Sequence, residues 1–287
     1  MADDGFERFR SRVQERLFAR LPSHAGRLSW SREQIAVHQR DSLRSLLADA
    51  RARSPFYARR LAGIDPDSFE LTDLPRLPIL TKAEMMANFD VVMTDRRLSR
   101  QTVERIIART AEQPIPLFGE YLCQASGGSS GRRGIFVLDV EAMVEFASST
   151  LRPTVARGGG LPAGGMTIAF VAAASAVHAT GIAPQVLHGS PIRFVPIPAT
   201  LPFAAIVDRL EATEPRALYG YPSMLARLAI ERRAGRLRIT PAMIVSTSEP
   251  LLEEQRAVIR AAFGAPLVDT FATSEGLVGV SDPDQST

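Results

Sequence analysis

Ser126-Gly127-Gly128-Ser129-Ser130-Gly131-Arg132-Arg133-Gly134 sits between two apolar runs, Tyr121-Leu122-Cys123 before it and Ile135-Phe136-Val137-Leu138 after it. The flanks carry strand-favouring residues and the glycines mark a turn, so the stretch predicts strand, loop, strand. Four glycines in nine residues let the backbone take positive φ angles, so that successive N–H groups can converge on one point. Three serine hydroxyls and two guanidiniums add donors, and the natural occupant of such a loop is a di- or triphosphate. A Gly/Ser-rich stretch is also what a flexible linker contains, but the strand flanks and paired arginines argue against a free linker.

Two overlapping motifs are weighed against this reading. Gly127 to Gly131 satisfies G-x-S-x-G, which would make Ser129 an acyl-transfer nucleophile with a histidine such as His178 as its base. That motif needs a helix directly after the serine, whereas the β-branched and aromatic run Ile135 to Leu138 favours a strand. A Walker A loop needs a Gly-Lys pair, and the chain has none. Farther on, Gly158-Gly159-Gly160-Leu161-Pro162-Ala163 fits G-x-G-x-x-A but follows a helix and precedes a strand, the reverse of dinucleotide-binding order, and reads as a helix-to-strand turn.

Upstream the pattern is helical. Phe6, Phe9, Val13 and Leu17 recur at spacings of three and four, a helix expected to end at Leu21-Pro22. Ser31-Arg32-Glu33-Gln34 and Thr81-Lys82-Ala83-Glu84 read as capping boxes, and Ser54-Pro55 starts a short helix. Leu74 to Leu80, with Pro75 and Pro78, is expected to be an extended connector. From Tyr121 onward strand and helix alternate, with strands expected at 135–138, 167–173, 192–195, 217–219, 243–246 and 267–271, and helices between them. That order predicts an α/β fold, a largely parallel sheet covered by helices, whose ligands bind beyond the carboxyl ends of the strands. Gly235 and Gly264 fall where helix C-caps belong.

The 287 residues are 45% hydrophobic with a net charge of +3, enough for a sizeable core and without a nucleic-acid footprint, since arginines and glutamates are interspersed. The single cysteine, Cys123, excludes an intramolecular disulfide framework, and no H-x-x-H or H-E-x-x-H spacing marks a metal site. The acidic opening Met1-Ala2-Asp3-Asp4 and the lack of a long apolar run lead to the expectation of a cytoplasmic protein away from membranes.

Ser126 to Gly131 resembles the phosphate loop of the adenylate-forming (AMP-binding) superfamily, in particular its phenylacetate-CoA ligase-like branch. Ser54-Pro55-Phe56-Tyr57, Leu74 to Leu80 and Thr81-Lys82 resemble the N-terminal segment of that branch. The loop departs after Gly131, where Arg132-Arg133-Gly134 replaces the family's Lys-Pro-Lys. Further motifs follow in the family's order. His178, in Ala176-Val177-His178-Ala179-Thr180-Gly181, resembles the aromatic or histidine at the acyl-pocket wall. Gly220-Tyr221-Pro222-Ser223 resembles the Gly-x-Pro-Ser turn beside the substrate channel. Ser248-Glu249-Pro250 resembles the Gly-Gly-Glu-Pro-Leu turn along adenine, with Thr247 and Ser248 in place of both glycines. A non-glycine residue is disfavoured at positive φ, so this turn is a place to expect change. Glu249 reads equally as a helix N-terminal acid.

Phe271-Ala272-Thr273-Ser274-Glu275 resembles the family's Tyr-Gly-x-Thr/Ser-Glu. The resemblance implies that Phe271 packs on adenine, Ser274 meets phosphate and Glu275 holds Mg²⁺. It further implies ATP and Mg²⁺ as cofactors, a small carboxylic acid as substrate, and coenzyme A as the thiol acceptor. Residues 1–110 would be the N-terminal helical segment of the adenylating lobe and 111–287 its AMP-binding α/β core. Only eleven residues follow Gly276, where the family continues into a hinge and a small mobile lobe that supplies a lysine for adenylation; that lobe is expected to be absent. The alternatives are a non-catalytic nucleotide-binding remnant and the serine hydrolase built on Ser129.

Overall fold

The stretches 166–172, 217–220 and 243–247 contain no charged residue, the pattern of strands buried on both faces. The computed structural model, which describes residues 3–110, 113–127, 133–157, 161–173 and 175–281, shows how both faces are covered.

In chain order the elements are α1 (Asp3–Gly26), α2 (Arg32–Arg53), α3 (Pro55–Arg60), α4 (Lys82–Ala87), α5 (Phe89–Val92) and α6 (Arg100–Arg109), then the hairpin β1 (Leu122–Ala125) and β2 (Ile135–Leu138). There follow α7 (Val140–Arg157), β3 (Met166–Ala172), α8 (Ala179–Leu187), β4 (Ile192–Pro198), α9 (Phe203–Thr213), β5 (Ala217–Gly220) and α10 (Pro222–Arg233). The series closes with β6 (Met243–Thr247), α11 (Glu253–Phe263), β7 (Leu267–Thr273) and β8 (Gly276–Val280). The main sheet has the order β4-β3-β5-β6-β7-β8, parallel throughout except for β8, which runs antiparallel to β7.

Alternation along β3 assigns its side chains to two cores. Ala169 and Val171 join Leu218, Ile244 and Leu267 beneath α9, α10 and α11, through Ile206, Leu210, Leu225, Leu228 and Ile259. Ile168, Phe170 and Ala172 point the other way, onto Leu17 and Leu21 of α1 and Leu151 and Val155 of α7. Strand order reverses beside β3, whose neighbours are β4 and β5, and a crevice opens at such a reversal, beyond the carboxyl ends of the strands.

α1 continues through Pro22 to Gly26 rather than ending at Leu21. Proline weakens a helix by losing one donor and crowding the preceding turn; here Leu21 and His24, 1% and 2% exposed, keep the last turn packed on α7. The expected connector at Leu74 is also shorter: Leu71–Arg76 form a 3₁₀ turn containing Pro75, and the Asp73 carboxylate accepts from the Glu70 N–H at 3.0 Å. The Ser31 capping box is complete, with Gln34 returning the bond. The Thr81 hydroxyl accepts from the Glu84 N–H. Gly235 and Gly264 take positive φ at their helix ends. Helix α6 and strand β8 lie outside the sequence expectations; of the turn read at 158–163, residues 158–160 lie outside the described residues, and Pro162 O accepts the Gly165 N–H at 2.8 Å.

The hairpin stands apart from the main sheet and rests on its own apolar cluster. Met86, Phe89, Leu98, Val103 and Ile107 of the preceding segment pack with Leu117, Cys123, Ala125, Ile135 and Val177. Burial pushes the Cys123 thiol up to about 12, so at pH 8 almost none of it is thiolate. Iodoacetamide should therefore alkylate the folded chain at least about 100-fold more slowly than the chain in urea; equal rates in the two states would contradict this packing. The role of α1 can be checked separately. Phe9, with no exposed surface, joins Phe6, Val13, Leu122 and Val144 in a cluster between α1, α7 and the hairpin. Phe9→Ala should lower unfolding stability by about 3–5 kcal/mol in a urea titration.

Candidate active site

Because β3, β5, β6 and β7 are parallel, their carboxyl ends meet along one edge of the sheet, and the loops that leave them surround a cavity of about 630 Å³. Its wall includes Ser126 and Gly127 from the hairpin, His178 after β3, Tyr221 after β5, Ser248 after β6, and Ala272, Thr273, Ser274 and Glu275 from β7 and the turn beyond it. The apolar floor is an aromatic group of Phe170, Phe194 and Tyr219, with ring centroids 5.9–6.3 Å apart in edge-to-face contacts. Burial pushes the Tyr219 phenol up to about 12, and its hydroxyl shares a short hydrogen bond with Thr154.

The hairpin is tied to this edge by three bonds. The Ala125 N–H donates to Val177 O at 2.8 Å, and His178 Nδ1 lies 2.7 Å from Ala125 O. A carbonyl can only accept, so Nδ1 carries the proton there and Nε2 remains the ring's second polar atom. The third bond runs from Gln124 Nε2 to Ser274 O at 2.6 Å. Gln124 is 2% exposed on a strand buried along its whole length; a polar side chain in such a run marks a specific partner, the one signal in the sequence for this residue.

Ser126 closes the base of the loop. Its N–H donates to Gly134 O and its hydroxyl oxygen accepts from the Gly134 N–H, both at 2.9 Å, which leaves the hydroxyl proton for another acceptor. Gly128, Ser129, Ser130, Gly131 and Arg132 lie outside the described residues. Arg133 is exposed in an adjoining groove rather than in the cavity wall. Lys82 lines both spaces. It is the single lysine among the chain's 34 lysines and arginines, which sets it apart in composition without placing it at a site. Among the described residues neither Lys82 nor Arg133 has an ion-pair partner.

The loop that carries His178 folds back tightly. A side chain at Gly181 would bring Cβ to 1.9 Å from Ser175 O, so only glycine fits there. Tyr221 reaches back across the edge and accepts the Ala173 N–H at 2.9 Å. Gly220 and Pro222 are buried at the end of β5 and the start of α10 and stay out of the wall. Glu249 is an acid at a helix N-terminus, but of the neighbouring helix α10: its Oε2 accepts the Ser223 N–H at 3.2 Å. Pro250 beside it is exposed. Phe271 is 64% exposed and absent from the cavity wall, whereas its strand neighbours Thr270 and Ala272 line it.

Glu275 is exposed in the turn after β7, and among the described residues its carboxylate has no ion-pair partner. Its N–H donates to Thr273 Oγ1 at 3.3 Å. Such a carboxylate is a ligand that Mg²⁺ takes together with phosphate oxygens.

Ser248 adopts φ +68°. The backbone therefore holds the left-handed shape that suits glycine, in spite of the side chain, at a cost of about 1 kcal/mol. Ser248→Gly should raise unfolding stability by roughly that amount; a destabilised variant in a urea titration would show that the hydroxyl holds the turn.

No family profile and no curated protein sequence matches the chain. Solved structures do. The chain is similar to 2-hydroxyisobutyryl-CoA ligase in complex with 2-HIB-AMP and CoA in the thioesterification state, with a TM-score of 0.64 and 19% identity over 86% of this chain and 50% of that one. Against an open conformation of that ligase with the same two ligands, the TM-score is 0.61 at 18% identity, over 82% and 49%. Against its postadenylation state with 2-HIB-AMP it is 0.63 at 18% identity, over 85% and 50%. The chain thus spans about half the length of the ligase it matches, and shares with that half its α/β fold.

Proposed function

We propose that this chain forms the nucleotide- and acid-binding lobe of a phenylacetate-CoA ligase-like enzyme. Such an enzyme joins a small carboxylic acid to AMP with release of pyrophosphate, then transfers the acyl group to coenzyme A. The observation that carries this reading is the convergence of five segments on one cavity: the base of the glycine-serine loop, the His178 loop, Tyr221, the Ser248 turn and the Thr273 to Glu275 turn.

Each group has a role suited to its chemistry. Ser126 and the backbone at Gly127 would donate to phosphate oxygens, with Gly128 to Arg132 continuing the loop. Lys82 and Arg133 bring positive charge to the same side, where it offsets the charge of a polyphosphate as the leaving group departs. Glu275 would hold Mg²⁺, which when bound neutralises phosphate charge. The aromatic floor with Phe146 offers an apolar wall to the acyl group. His178 positions the hairpin through Nδ1 and presents its ring to the cavity. Among the described residues no helix is long and apolar enough to cross a membrane, and the proposed partners are small molecules.

Calorimetric titration with ATP tests the reading. Saturable binding that requires Mg²⁺ is expected, about tenfold or more weaker in Glu275→Ala and in Lys82→Gln. Absence of binding by a chain whose circular dichroism shows it to be folded would overturn the nucleotide site.

A further inference from the structure

A second polar cluster lies between α1 and α7, away from the cavity. At this junction His24 is 2% exposed and Ser148 has no exposed surface. His24 Nδ1, Ser148 Oγ, Arg27 Nε and Arg152 Nε are all buried without a hydrogen-bond partner among the described residues. The two guanidinium nitrogens can only donate, and the hydroxyl and a protonated ring donate as well, so with the ring charged the junction has donors in excess of acceptors. Buried polar groups are normally satisfied, and these orphans on the facing helices call for an acceptor that the described residues do not supply.

The one nearby carboxylate does not fill that need. Glu145 lies 3.4 Å from His24 Nε2 and 3.5 Å from Arg27 Nη1, and its side chain is 54% exposed. Glu141 is engaged by Arg16 and Arg20. Burial holds His24 below its ordinary value, and Arg27, Arg152 and Arg20 act in the same direction against the opposing pull of Glu145. Burial and Arg27 likewise lower Arg152. The charge is therefore positive and underneutralised.

We propose that this junction binds a tetrahedral oxyanion, inorganic phosphate or the phosphoryl group of a phosphate ester, held by Arg27, Arg152, His24 and Ser148. Arg27 and Glu145, with side chains 22% and 54% exposed, place the junction at the rim of the helix pair. Glu145, Ser148 and Arg152 recur at spacings of three and four on one face of α7, while Phe146 and Thr150 on another face line the cavity. None of His24, Arg27, Ser148 and Arg152 lines the cavity, which takes only other residues of α7.

The chain has four histidines, so the His24 ring resonance can be assigned by loss in His24→Gln and followed by NMR. Inorganic phosphate and glycerol 3-phosphate are titrated separately into the whole chain. The His24 signal should move saturably, with half-saturation on the order of millimolar, and its titration midpoint should rise as the anion stabilises the charged ring. Arg27→Gln and Arg152→Gln should weaken the effect about tenfold or more, while Lys82→Gln, at the other phosphate site, should leave it unchanged. Movement with inorganic phosphate alone identifies a free-ion site; movement with both identifies one open to larger phosphate esters. No saturable movement up to about 50 mM phosphate, or movement that survives Arg27→Gln and Arg152→Gln, overturns the proposal. Should Arg152→Gln fail to fold, the wild-type titration and the mostly buried but rim-placed Arg27→Gln decide it.

Discussion

The site depends on holding a two-stranded hairpin over the edge of a sheet to which it does not belong. Two strands alone are marginal in water, so β1 and β2 need support from outside themselves. It comes from below, through the cluster of Phe89, Val103 and Ile107, and sideways, through the bonds of Ala125 to Val177 and His178 and of Gln124 to Ser274. The lateral bonds join the hairpin to β3 and β7, two strands separated in the sheet by β5 and β6. One rigid connection thus spans the crevice at the strand reversal and fixes the distance between its two walls.

The regular parts of this arrangement were legible because their signals are local. Ile135 to Leu138 form the expected strand, Ser31 caps α2 as its spacing implies, and the alternation after Tyr121 becomes a parallel sheet. Pro22 misled because propensity is a one-residue signal, and the packing of Leu21 and His24 outweighs it. β8 was hidden because Gly276 and Gly279 dilute its strand character, and its partner is fixed by register with β7.

The site was legible in its motifs and less so in its connections. The order of the loops placed Ser126, His178, Tyr221, Ser248 and Glu275 on one cavity, since a parallel sheet sends every such loop to the same edge. Gln124 and Lys82 needed three-dimensional knowledge, because each acts across more than forty residues, on Ser274 and beside Gly134. Glu249 shows the converse: an acid before a proline reads as a cap for the next helix, yet it serves α10, which precedes it in the chain. Strand neighbours, rather than sequence neighbours, decide which helix end a loop can reach.

β4 is the outer strand on the side of the sheet away from β8. Its last residues, Val195-Pro196-Ile197-Pro198, hold two prolines, which have no N–H to offer an incoming chain. Arg193 adds an exposed positive charge along the same border. Another molecule seeking to extend the sheet there would find alternate rungs of the ladder missing, so this border is protected from strand-by-strand self-association at high concentration.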